Sequence, residues 1–155
     1  MEPDAPRDHA ALVAAYHAPY HAALRRALDE TLATFGKVLL LDLHSFMGPT
    51  EHDVCIGDCR GTSCLPSTVG GFERALQDHG FDVSRNDPFP GGFITRHGSP
   101  PRREALQLEL RYPTYLDCSH IDEPGRPGLD PERIAAAQRR LRPALEEAFA
   151  AYASP

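Results

Sequence analysis

The sequence predicts an α/β fold with a mixed, mostly parallel sheet and flanking helices. Three observations carry this. The stretch Lys37-Val38-Leu39-Leu40-Leu41-Asp42-Leu43-His44-Ser45 is dense in apolar residues and free of turn formers. That is the pattern of a strand buried on both faces, since a half-buried strand would alternate. Helical periodicity precedes it over residues 8–35 and returns over 130–152, and a strand with alternating leucines occupies 105–111. Helices interspersed with strands in this order build a sheet with helices packed on it.

Composition narrows the function classes. A chain of 155 residues suits a single domain with one modest core, so residues 1–155 are expected to form one domain. The 15 prolines and 12 glycines imply a loop-rich fold. A net charge of −6 would repel an extended phosphate backbone, which argues against a nucleic-acid partner. No apolar run approaches the roughly 20 residues of a membrane span, and Met1-Glu2-Pro3-Asp4 lacks the basic and apolar regions of a signal peptide. A cytoplasmic protein away from membranes is expected. Cys55, Cys59 and Cys64 crowd one short segment and Cys118 lies apart, so reduced thiols are expected in that compartment. A zinc reading of these three with His52 lacks the paired CxxC spacing of common zinc modules, and small buried thiols account for them better.

Taken in order, Leu12, Tyr16, Tyr20, Leu24, Leu28, Leu32 and Phe35 recur every three or four residues, one face of a helix over 8–35. Pro19 interrupts it. Either the helix kinks there or its stable part begins there, and Gly36 supplies the stop. His17 and His21 share a face, as in metal-binding helices, but without a third ligand nearby they read as solvated or core-edge side chains. The first strand, 37–44, leads to Asp42, His44 and Ser45 at its carboxyl end, where α/β sheets bind ligands. The same three residues would also suit a helix cap beside a satisfied histidine.

Residues 45–104 form a loop-rich region with short elements inside it. Asp53 to Asp58 alternates as a second strand, and Asp58-Cys59-Arg60-Gly61-Thr62-Ser63-Cys64 is a turn carrying hydroxyls and opposite charges. A helix from Ser67 to His79, with Ser67 as N-cap, is stopped by Gly80, and Phe81-Asp82-Val83 is a short strand. On the strand 105–111, Leu106, Leu108 and Leu110 face one way and Gln107, Glu109 and Arg111 the other. An internal position would bury Glu109, a carboxylate that must then be paired, protonated or held beside a reactant. On a wet face it would pair with Arg96 or Arg111. After a turn-rich connection over 117–128, Asp130-Pro131-Glu132 opens the last helix, 130–152. Its buried stripe is expected to be Ile134, Leu141, Leu145 and Phe149.

Four ordered blocks carry a family resemblance: Leu41-Asp42-Leu43-His44-Ser45; Ile56-Gly57-Asp58-Cys59-Arg60-Gly61-Thr62-Ser63-Cys64; Asn86-Asp87-Pro88-Phe89-Pro90-Gly91-Gly92-Phe93-Ile94-Thr95-Arg96; and Leu106-Gln107-Leu108-Glu109-Leu110. Together they resemble the N-formylglutamate amidohydrolases, zinc hydrolases related in fold to the zinc carboxypeptidases. The likeness covers the chain from about Tyr16 to the end of the last helix. It implies a partial phosphorylase/hydrolase-like fold and hydrolysis of N-formylglutamate, or a similar N-acyl amino acid, to formate and glutamate, with a place in histidine degradation.

By the same resemblance His44 is a zinc ligand, with Asp42 and Ser45 behind it. Glu109 is the catalytic carboxylate that moves the proton from water to the leaving nitrogen. Arg96, Asn86 and Thr95 bind the carboxylates of a small acidic substrate or the developing oxyanion. The chain departs from the family in one respect. The family's other two zinc ligands, a His and a Glu, belong to an N-terminal segment with no counterpart in Met1 to His9. A catalytic zinc takes three protein ligands, so the ligand set is expected to be incomplete. The chain is then expected to be an N-terminally truncated hydrolase, needing upstream sequence or a partner chain. The alternative is a non-catalytic remnant or subunit that binds an acidic small molecule. An exposed sheet edge would invite self-association or a partner chain.

Overall fold

The computed structural model describes residues 8–119, 121 and 129–154. The chain divides into two compact units, Met1–Val38 and Leu39–Pro155, where length alone suggested one domain. In the first unit, α1 (His9–Leu12) and α2 (Ala18–Phe35) are joined without a break by a π-helical turn at Val13–His17. This resolves the question of Pro19. Proline has no N–H to close an α-turn, and the widened turn just before it, in which the Ala18 N–H reaches the Val13 carbonyl, lets the helix pass without ending. Gly36, at φ 76°, closes α2 in the left-handed conformation, its N–H donating to Leu32. Of the predicted helix face only Leu28 is buried; Tyr16, Tyr20 and Phe35 are exposed.

The second unit contains a four-stranded mixed sheet with α-helices. Its strands are β1 (Val38–Phe46), β2 (Val54–Gly57), β3 (Val83–Arg85) and β4 (Arg103–Arg111), in the spatial order β1-β4-β2-β3. The pair β2–β3 is parallel and β2–β4 is antiparallel. This is the α/β class expected from the sequence. β1 is not the doubly buried strand that its composition suggested. It occupies one end of the strand order, and Leu43, His44 and Ser45 are exposed. An apolar run reports hydrophobicity, and cannot report whether a neighbouring strand is there to cover it. β1 also continues to Phe46, so Asp42, His44 and Ser45 lie within the strand and not beyond its end.

One face of the sheet holds the core. Val54, Ile56, Leu106 and Leu108 pack with Val69, Phe72, Ala75 and Leu76 of α3 (Pro66–Asp78) and with Ala144 and Ala148 of α4 (Pro131–Ala153). Helix α3 is capped by Leu65, not Ser67, because Pro66 takes the first helical position, where its missing N–H is harmless. The predicted stop holds: Gly80, at φ 80°, allows the Phe81 N–H to reach Leu76 O and its own to reach Gln77 O. In α4, Asp130 caps the Glu132 and Arg133 N–H groups as expected. Its fully buried residues are Ala137, Ala144 and Ala148, whereas Leu141 and Leu145 are half-buried and Phe149 is 39% exposed. Methyl side chains allow the close approach to α3, and the larger residues lie beside that seam. The connection predicted over 117–128 falls largely outside the described residues. Among them, no helix is long and apolar enough to cross a membrane.

Candidate active site

The opposite face of β4 carries the polar residues. Antiparallel pairing sets Glu109 against Cys55 and Gln107 against Gly57, and directly opposed residues point to the same face. The segment Phe89-Pro90-Gly91 lies over this row. A Cβ on Gly57 would come within 2.8 Å of the Phe89 carbonyl oxygen, so the absent side chain makes room for that backbone. Cys55 donates its thiol to Phe89 O at 3.5 Å. Gly91, at φ 118°, adopts a conformation closed to other residues. A cavity of about 240 Å³ remains between Phe89, Pro90, Gly91, Gly92, Gln107 and Glu109.

Glu109 is 8% exposed and is held by Gln107, whose Nε2 donates to Oε1 at 2.6 Å. Thr95, fully buried, continues the chain: its hydroxyl lies 3.5 Å from Gln107 Oε1 and accepts from the Gly92 N–H. Gln107 is a site residue that sequence reasoning did not single out, although its place two positions before Glu109 on one strand face was the available signal. Burial raises the Glu109 pKa, the His44 side chain pulls it back, and Asp42 adds to the rise. Glu109 on β4 thus lies within electrostatic reach of His44 and Asp42 on β1. The pairing of Glu109 with Arg96 or Arg111 does not occur: Arg111 bonds Glu51 at 2.8 Å instead.

His44 is 45% exposed and its Nε2 contacts Asp42 Oδ1 at 2.9 Å, the orienting role considered for Asp42. It does not line the Glu109 cavity. With Ser45 it borders a separate apolar groove of about 240 Å³ whose walls include Leu43, Leu108, Leu110, Tyr115, Leu141 and Leu145. The edge position of β1 is the reason: no strand or loop among the described residues folds the imidazole inward. Ser45 has no polar partner among the described residues. No three His, Cys, Asp or Glu side chains among them are grouped to hold a metal. His44 with Asp42 offers one oriented imidazole, and that falls short of a three-ligand zinc site. Cys55 bonds Phe89, Cys64 bonds Glu104 at 3.1 Å and His52 contacts Asp82 at 3.0 Å.

The substrate-binding trio is dispersed. Arg96 is exposed on a short 3-10 turn, Thr95–His97, and lines a cavity of about 360 Å³ with Cys59, Arg60, Thr62, Pro90 and Gly91. Thr95 faces Gln107, as described. Asn86 is used on the turn of residues 58–61: its Oδ1 accepts the Asp58 and Arg60 N–H groups at 3.1 and 3.2 Å, and its Nδ2 donates to Asp58 Oδ1 at 2.7 Å. Asn86 therefore positions a loop, and Thr95 supports the Glu109 network. Asp58, fully buried, also accepts the Gly61 N–H at 3.0 Å and pairs with Arg85. Burial would raise its pKa, but the bonds from Arg85, Asn86 and Gly61 outweigh that and hold it below the usual aspartate value.

The chain is 35% identical over 109 residues to N-formylglutamate deformylase of Pseudomonas aeruginosa, covering 64% of this chain and 41% of the relative. It superposes on the crystal structure of N-formylglutamate amidohydrolase from Ralstonia eutropha JMP134 with a TM-score of 0.64 and 32% identity, over 90% of this chain and 55% of that one. The chain thus spans about half the length of these relatives. The model of the N-formylglutamate amidohydrolase family matches residues 2–116, and the chain belongs to that family.

Proposed function

We propose that the chain carries the proton-transfer and anion-binding half of an amide hydrolase acting on N-formylglutamate or a similar N-acyl amino acid. The observation behind this is Glu109: a buried carboxylate of raised pKa, held by Gln107 and bordering a cavity that shares Pro90 and Gly91 with the cavity of Arg96. In the reaction water adds to the formyl carbon, the C–N bond breaks, and the amine leaves with a proton. Glu109 takes the proton from water and returns it to the nitrogen, and its burial favours the protonated form that this cycle passes through. Arg96 holds a substrate carboxylate.

Zinc is the metal that the resemblance implies, and His44 would be a ligand to it. The described residues do not complete the set, so the remaining ligands would come from outside them. The same observation favours a second reading, a non-catalytic subunit that binds acidic small molecules. The free thiols of Cys55, Cys59, Cys64 and Cys118 support a reducing, cytoplasmic setting.

Formate release from N-formylglutamate, measured with zinc content on the purified 155-residue chain, separates these readings. Release that falls about a hundred- to ten-thousandfold in Glu109→Gln supports the hydrolase. Unchanged release in that variant removes Glu109 from the chemistry. Stoichiometric zinc would show that the chain alone supplies a full ligand set.

A further inference from the structure

The cavity of about 360 Å³ beside the Glu109 cavity contains a second guanidinium. Arg60 and Arg96 both line it, and the other lining residues, Cys59, Thr62, Pro90 and Gly91, include no carboxylate. Neither guanidinium has a hydrogen bond or ion pair among the described residues. In a chain of net charge −6 this is a local reversal of sign. The backbone under Arg60 shows that the placement is built. Cys59, Arg60 and Gly61 have φ values of 51, 57 and 84°, so two side-chain-bearing residues in succession occupy the left-handed region. Such conformations persist where surrounding bonds over-determine them, and they cluster at ligand sites. Here the Arg60 N–H donates to Asn86 Oδ1, the Gly61 N–H to Asp58 Oδ1, and the Cys59 N–H to the Pro90 carbonyl.

We infer that Arg60 is the specificity-determining residue for the second carboxylate of a dianionic ligand, acting beside Arg96 in the cavity over Pro90 and Gly91. This rests on the reading of the site as one for N-formylglutamate or a similar N-acyl amino acid and assigns the residue of this chain that distinguishes two carboxylates from one. Arg96 adjoins Thr95, which reaches Gln107 and through it Glu109, and so belongs with the carboxylate nearer the scissile amide. Arg60 has no such link and stands on the independent turn of residues 58–61. A cavity with two cations discriminates because a monoanion leaves one of them unused, whereas a dianion gains a charge-assisted bond from each.

Titration calorimetry on the full chain tests this with glutarate as the dianion and butyrate, which is glutarate with one carboxylate replaced by hydrogen, as the monoanion. Wild type is expected to bind glutarate at least about tenfold more tightly than butyrate. Arg60→Met is expected to reduce glutarate to the butyrate level without changing butyrate, and Arg96→Met to weaken both. Arg60→Asn, whose side chain tolerates the left-handed conformation, repeats the test without an added backbone penalty, and circular-dichroism melts confirm that each variant folds. Retained discrimination in a folded Arg60 variant, or wild-type binding of neither anion, overturns the inference. Formate release that survives in the Arg60 variants while discrimination is also retained would sink the Arg60 assignment and leave the hydrolase reading standing. Discrimination lost on removing Arg60, in a chain that releases no formate, would do the reverse.

Discussion

Asp58 and Asp42 both hold a neighbour in place at the candidate site, one on the turn of residues 58–61 and the other on the edge strand β1. Asp58 is fully buried and is bonded to Gly61, Asn86 and Arg85. Asp42 has one described partner, His44, on an imidazole that is 45% exposed. The contrast separates two kinds of functional geometry. The turn that presents Arg60 and the Gln107–Glu109 pair are preorganised by buried bonds that water does not replace. The histidine at the edge has its orientation set by one contact in which the imidazole is half exposed and Asp42 is 11% exposed, and single partly exposed pairs contribute little to stability. The turn of residues 58–61 and the Gln107–Glu109 pair are therefore fixed within this unit, while His44 is left half exposed at the sheet edge.

Removing the buried anchor should have the largest effect on this contrast. Asp58→Ala takes away the buried charged partner of Arg85 and the carboxylate that accepts from the Asn86 amide and the Gly61 N–H, a loss of about 3 kcal/mol that urea unfolding would register. A loss below about 1 kcal/mol would mean that the turn holds itself. Acid should sharpen the same point. The Asp58 pKa is lowered from 3.8, so the unfolded chain binds its proton first as pH falls. Its contribution is full above the unfolded value and is lost as pH drops through the lower folded one. The stability difference between wild type and Asp58→Asn should thus be constant near pH 7 and shrink below about pH 4.

A smaller loss is expected from Gly57→Ala, whose methyl would meet the Phe89 and Pro90 backbone at 2.8 Å. Displacing that cover should cost about 1 to 3 kcal/mol, and an unchanged melt would show that the Phe89–Gly91 segment moves freely. His44→Ala sits at the other extreme. Breaking an exposed pair should alter unfolding free energy by no more than about 0.5 kcal/mol. A larger loss would place His44 among the structural residues and erase the difference between the two regions.

Much of the site was legible because strand periodicity is a local property. The alternation in residues 105–111 put Glu109 and Gln107 on one face and the leucines on the other, and the buried carboxylate followed. Asp42 and His44 are likewise two apart on one strand, and their contact is the consequence. The hold of Asn86 on the turn was not legible, because its side chain acts 28 residues away, on Asp58, through bonds that no spacing encodes. Arg60 was passed over for the same reason, since its exposure at a cavity depends on a turn held from outside its own segment.

Residue order alone settled the α/β class, the cap of α4, the glycine stops after α2 and α3, the two faces of β4 and the family, since each depends on side-chain period, turn chemistry or a short motif. Only the tertiary structure decided that β1 is an edge strand, that α4 seats its alanines inward, and that two arginines 36 positions apart meet at one cavity. Those outcomes depend on which elements become neighbours. Neighbourhood arises from packing across the whole chain, to which hydrophobicity and local period contribute no direction.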